Sequence, residues 1–224
     1  MQDDKLVQSR LKTPRAAAIA GIVFSVLFVG AFSLLRVNVP TDPGESGEWV
    51  KTSARSVGLA LNLLPFAGIA FLWFVGALRD RLGSLEDRFF ATVFLGSSLL
   101  FLGTLFTLAA TVGAIILTFG GESKGLAEST SFHFARTFAY MIVNIYMIKM
   151  AGVFMFSTST VVIYTSIAPR WVAFLGFSLA LLLVFASSYF SWIFVAFPFW
   201  IFLLSACLLI DELYRQSRDT KAKL

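Results

Sequence analysis

Six apolar runs, each about as long as a bilayer's hydrocarbon core is thick, divide this chain and dictate its solvent. They are Ala16 to Leu35, Val57 to Leu78, Phe89 to Phe119, Arg136 to Ile167, Trp171 to Ser188 and Ser191 to Ile210. A helix needs about 20 apolar residues to cross roughly 30 Å of hydrocarbon. Runs three and four exceed that length, so they must tilt, kink or project from the bilayer. Composition agrees: only 14% of the 224 residues are charged, against roughly 25% in soluble domains, and the mean hydropathy is +0.82. The expected fold is all-α, one domain over residues 1–224, a bundle of six transmembrane helices. Among transmembrane folds, a helix is the one that satisfies its backbone within a single segment.

Orientation follows from basic residues in alternate loops. One side holds twelve Lys and Arg: Lys5, Arg10, Lys12, Arg15, Arg79, Arg81, Arg88, Arg170, Arg215, Arg218, Lys221 and Lys223. The other holds five: Arg36, Lys51, Arg55, Lys124 and Arg136. The positive-inside rule therefore puts both termini in the cytoplasm and the chain in the cell membrane as a multi-pass protein. The first run follows basic residues as a signal peptide would, but it is long and ends in Leu34-Leu35-Arg36 without an Ala-x-Ala-like site, so it reads as a retained span.

The net charge of +5 is spent at span ends on orientation, which argues against nucleic acid as a partner; the bilayer is the partner it implies. Cys207, the one cysteine, falls inside span six, so there is neither an intramolecular disulfide nor a cysteine cluster for a metal. It reads as a small buried hydrophobe.

No gap is long enough for a soluble domain. The longest, Arg36 to Ser56, carries Pro40, Pro43, Gly44 and Gly47 and offers Trp49 as an interfacial anchor. The segment Gly120 to Ser131 is polar, and "SSYFSW" between spans five and six makes those two an antiparallel hairpin. Helix contacts in lipid are marked by small residues. Ala17, Gly21 and Ser25 form one such stripe and Gly103, Thr107 and Thr111 another; both read as internal packing faces, or as the face of a homo-oligomer. In span two, Asn62 and Pro65 fall within one turn. They form either a structural kink with Asn62 bonded to a neighbouring helix, or a broken helix of the kind that builds transporter sites.

Catalysis in a membrane needs ionisable groups that converge. The spans hold almost no carboxylate, Asp211 lying at the very end of span six, and the one histidine, His133, lies at the mouth of span four. No Gly-x-Ser-x-Gly, Gly-x-Gly-Asp or Walker sequence is present. The expectation is a non-enzymatic chain with no cofactor and no metal.

Lys149, in "IYMIKMAG", is the one lysine within a span. Pro169 and Arg170 mark the inner surface, and about 20 residues back from Ser166 at about 1.5 Å each reaches the outer boundary near Tyr146. Lys149 then lies just below that boundary and snorkels to the headgroups; a strongly tilted helix would bury it and require a partner. The same count makes residues 133–144 an outward extension. His133, Arg136, Tyr140 and Asn144 fall within about 80° of arc and form one polar stripe. The stripe either binds a polar or anionic ligand through Arg136 or docks on the outside loops through Glu45, Glu48, Glu122 or Glu128.

Two resemblances add to this reading. Gly76, Leu78, Asp80, Arg81 and Gly83 resemble the Gly-x-Leu-x-Asp-Arg-x-Gly signature between helices two and three of major facilitator transporters, though Ser84-Leu85-Glu86 stand where basic residues should follow. That would imply a half-size transporter that dimerises. The cassette from Pro65 to Ser97 resembles a group of uncharacterised six-span bacterial membrane proteins, and "IAPRW", Ile167 to Trp171, is similar to a helix turn in such proteins. This resemblance implies fold and membrane location and carries no activity. The functional expectation is an interaction or scaffold protein. The competing class is a small transporter or channel with a site around Asn62, Pro65, Tyr140, Asn144 and Lys149.

Overall fold

Apolar stretches become long helices because hydrocarbon offers backbone N–H and C=O groups no partner but one another. The computed structural model describes residues 13–42, 44–45, 47–82, 88–120, 126, 129–185 and 193–222, and these contain helices and no strand. Helix α1 is Thr13–Asn38, α2 the single turn Trp49–Thr52, α3 Ala54–Leu82 and α4 Arg88–Phe119. Helix α5, Thr130–Met141, passes through a π-helical stretch, Ile142–Met147, into α6, Ile148–Thr165. Helix α7 is Arg170–Phe185, and a 3-10 turn, Ile193–Val195, leads into α8, Ala196–Ala222.

Five stretches are long and apolar enough to cross a membrane: Arg15–Asn38, Ala54–Asp80, Ala91–Phe119, Thr130–Thr165 and Ile193–Tyr214. The described part of the expected fifth span is shorter than the rest. Helix α7 has 16 residues, about 24 Å at the α-helical rise, short of the roughly 30 Å hydrocarbon core. Ser188 and Ser191, the expected ends of the last hairpin, lie outside the described residues, as do residues 83–87 of the charged loop and Glu122 and Glu128.

Helix α1 sits between α3 and α8. A Cβ at Gly21 would collide with Ser205 Oγ and the Phe74 ring, so glycine is what lets these three helices approach. One turn on, Ser25 Oγ lies 2.8 Å from the carbonyls of both Gly21 and Pro198, tying α1 to the first turn of α8. The stripe through Ala17, Gly21 and Ser25 is thus a packing face. Helices α6 and α7 meet in the same manner at Gly176, where a Cβ would strike Ser159 Oγ and the Trp200 indole; Trp200 Nε1 donates to the Val172 carbonyl at 3.0 Å.

At the centre, phenylalanines from five helices interlock. Phe24, Phe71, Phe101, Phe154 and Phe197 are buried, and Phe71 lies 4.9–5.8 Å from the other four ring centroids. Each of the five rings comes from a different run of the sequence, so the cluster exists only in the folded bundle. Lipid tails are as apolar as these rings, so the gain is close packing and ring geometry, not removal from water. Trp73, Leu100 and Phe174 are exposed, as a lipid-facing surface requires.

Two expectations are corrected. The stripe Gly103, Thr107 and Thr111 is not an internal packing face: no atom lies within 4 Å of a Cβ at Gly103, Thr107 is exposed, and the two threonine hydroxyls donate along their own helix to the carbonyls of Gly103 and Thr107 at 2.8 Å. Small residues favour close approach without choosing which face is approached, and the α4 contacts are made by its larger residues Phe101, Leu105 and Leu108. Nor does Asn62 bond a neighbouring helix. Its Nδ2 donates to the Gly58 carbonyl at 2.9 Å, and α3 runs through Pro65 as one helix. Both side chains are exposed on its outer face, where an amide finds its nearest acceptor one turn back.

Candidate ligand pocket at the end of the bundle

Contacts between helices order the layers. Ser25 meets Pro198 at mid-bundle, and Phe32 meets Phe194 at 5.6 Å nearer the far end of α1. Above that aromatic pair, at the end of the bundle away from Thr13 and Ala222, lies an open cavity of about 120 Å³. Its wall combines the end of α1 (Phe32, Leu35, Arg36), the following loop (Val39, Pro40, Thr41), Trp49 of α2, Leu108, Val112 and Ile115 of α4, and residues from α5 and the π stretch.

The loop is shaped to hold Trp49 and Arg136 together. Gly47 has φ +78°, where an L side chain is strained, and a Cβ there would meet the Phe132 ring and Leu126. The chain can therefore turn close over α5 and start α2, which buries Trp49 and Val50. Arg136 rises from α5 beneath the loop. Its Nη2 donates to the carbonyls of Pro40 at 2.8 Å and Asp42 at 2.9 Å, and its guanidinium carbon lies 5.1 Å from the Trp49 ring centroid, a cation–π distance. Arg136 is 6% and Trp49 5% exposed. Within this enclosure Arg136 Nε and Trp49 Nε1 have no hydrogen-bond acceptor. The carboxylates of Asp42 and Glu45 act on Arg136 through space, while that of Asp42 accepts from the Gly44 amide at 2.8 Å.

Of the four residues of the expected stripe, Arg136, Tyr140 and Asn144 line the cavity. Asn144 Nδ2 donates to the Tyr140 carbonyl at 2.9 Å, inside the π stretch, whose wider turn is a common feature of binding sites. His133 does not line the cavity; it is half-buried one turn earlier, its ring 5.9 Å from that of Phe132. Arg136 does dock on a loop, the one that follows α1, through two backbone carbonyls; Glu122 and Glu128, two of the expected partners, lie outside the described residues. Asn62, Pro65 and Lys149 are exposed elsewhere on the bundle and do not join Tyr140 and Asn144.

Sequence reasoning missed Arg36, and read Trp49 as an interfacial anchor when it is a buried wall. The signal in hand was an arginine at the end of one span and a tryptophan in the longest loop, both on the side of Arg136. Among the described residues no three His, Cys, Asp or Glu side chains gather as a metal site would require. A second cavity, about 370 Å³, opens between α4, α6 and α7. Its wall, Val93, Gly152, Val153, Phe156, Ser157, Ala180, Leu181, Val184 and Phe185, has no charge, and the Ser157 hydroxyl is taken up by carbonyls of its own helix, so the wall supplies volume with little to orient a ligand.

Comparison with family models, with curated proteins and with solved structures finds no match. The reading of function therefore stands on the geometry of this chain.

Proposed function

We propose that this chain is a six-crossing protein of a bacterial cytoplasmic membrane, with both termini inside, which works by recognition at its outer end and not by catalysis or by passing a solute. The observation that carries this reading is the aromatic cluster of Phe24, Phe71, Phe101, Phe154 and Phe197. It fills the axis directly beneath the cavity with rings in contact, where a transport path would need water and polar groups. The outward exposure of Asn62, Pro65 and Lys149 supports it further, since a transport site built on those residues would need them inside. The twelve-to-five bias of basic residues supports the orientation, and the resemblance of the Pro65 to Ser97 cassette supports the bacterial membrane.

The purified protein in sealed liposomes is expected to leave proton, potassium and chloride permeability at the level of protein-free liposomes. A leak that scales with protein and saturates with solute would overturn the reading. Orientation is checked in whole cells on a Cys207→Ala background: Lys51→Cys and Lys149→Cys are expected to react with a membrane-impermeant thiol reagent, and labelling of Arg170→Cys in their place would invert the topology.

A further inference from the structure

A buried N–H without an acceptor is uncommon, because the group has lost water and gained nothing. Among the described residues, the buried side-chain nitrogens in that state are Arg136 Nε and Trp49 Nε1. They belong to touching side chains on the wall of one cavity. Two orphans of the same kind on touching side chains, both donors, leave this wall short of acceptors.

The charge around them says what kind. Arg36, half-buried, is a second arginine lining the same cavity. Arg136 spends Nη2 on two neutral carbonyls, which hold it in place without neutralising it. Asp42 and Glu45 act on that charge only through space, and a water molecule could accept from both donors but would bring no direct ionic partner. An oxyanion satisfies the donors and the charge together, with charge-assisted bonds that are the stronger kind. Beside Thr41, Tyr140 and Asn144, the wall carries an apolar part that includes Phe32, Val112, Ile115 and Phe194, which suits hydrocarbon next to the anionic group.

We propose that this cavity binds an anionic amphiphile, a carboxylate or phosphate oxygen accepting from Arg136 Nε and Trp49 Nε1 while the attached chain lies on the apolar wall. The proposal rests on the recognition reading above and names its ligand class. The source is either a free fatty acid or an anionic lipid of the surrounding bilayer, both of which present an oxyanion joined to hydrocarbon at the depth of the headgroups.

The test uses the full-length protein, stripped of lipid in an uncharged detergent and followed by native mass spectrometry. Oleate is compared with oleyl alcohol, and dioleoylphosphatidylglycerol with dioleoylphosphatidylcholine. At least one anionic partner is expected to bind one to one and about tenfold more tightly than its neutral counterpart. Trp49→Phe keeps a ring under the guanidinium and deletes the orphan donor, so it is expected to cut that preference about threefold while raising the melting temperature of the ligand-free protein. Arg36→Gln, which removes charge without touching the loop carbonyls, is expected to reduce the preference by a similar factor. Preference for oleate assigns a free acid, preference for the phosphatidylglycerol assigns a bilayer lipid, and either supports the site. Equal binding of charged and neutral partners, or an anion preference indifferent to both variants, overturns it. A leaky liposome would sink the recognition reading without altering these affinities, so the two failures are separable.

Discussion

The middle of the bundle and its far end are built on opposite terms. In the middle, rings from five helices close around Phe71, and Gly21 and Gly176 bring backbones so close that a methyl group would not fit. At the end, an arginine and a tryptophan are just as deeply buried, yet they border empty space and leave two donors unused. Ser159 and Ser205 also leave a buried hydroxyl unpaired, but each is pressed against a glycine with no room for a ligand. Tight packing without polar demand makes a closure. Polar demand beside open volume makes a binding site.

The sharpest way to break this contrast is to attack the closure. Phe71→Ala removes the ring that touches the other four, and is expected to cost about 3–5 kcal/mol in equilibrium unfolding from mixed micelles. A loss below about 1 kcal/mol would mean the cluster is loosely packed and the bundle axis is not shut. Next comes the loop anchor. Arg136→Ala strands the carbonyls of Pro40 and Asp42 and is expected to cost about 2 kcal/mol, with hydrogen exchange rising across residues 47–53 while residues 20–30 stay protected. Uniform exchange across both stretches would make Arg136 part of the global core and not a local anchor.

Ser25→Ala removes the tie to Pro198 at mid-bundle, and interhelical hydrogen bonds in membranes are worth about 0.6 kcal/mol on average. An effect of that size, read from the same unfolding curves, would confirm that packing outweighs hydrogen bonding in the middle. The smallest effect belongs to the outer surface. Gly103→Leu and Asn62→Leu are each expected to shift stability by less than about 0.5 kcal/mol and to leave the particle mass unchanged in light scattering. A change of mass for Gly103→Leu would reveal that the outward stripe on α4 is covered by a second copy.

The residues show how far sequence reasoning reached. Ala17, Gly21 and Ser25 mark a real contact, whereas Gly103, Thr107 and Thr111, with the same spacing, face outward. Spacing reports which residues share a helix face and is silent on what lies opposite. Arg136, Tyr140 and Asn144 were legible as one stripe because they are helical neighbours. Their partners Arg36, Pro40 and Trp49 were not, because each lies 87 or more positions before Arg136 and no periodicity spans that distance. The π stretch at Ile142–Met147 left no mark in the hydrophobic pattern, since an extra residue in one turn alters hydrogen bonding more than composition.

What the amino-acid sequence determined by itself was the solvent and the kind of element. Apolar runs of membrane length admit helices and little else, because hydrocarbon forbids an unpaired backbone. Tertiary structure alone decided which faces meet, that five distant phenylalanines close the axis, and that an arginine and a tryptophan from separate segments share a cavity. Lipid gives apolar side chains no preference between one another and the bilayer, so that choice rests on shape, and shape exists only once the helices are together.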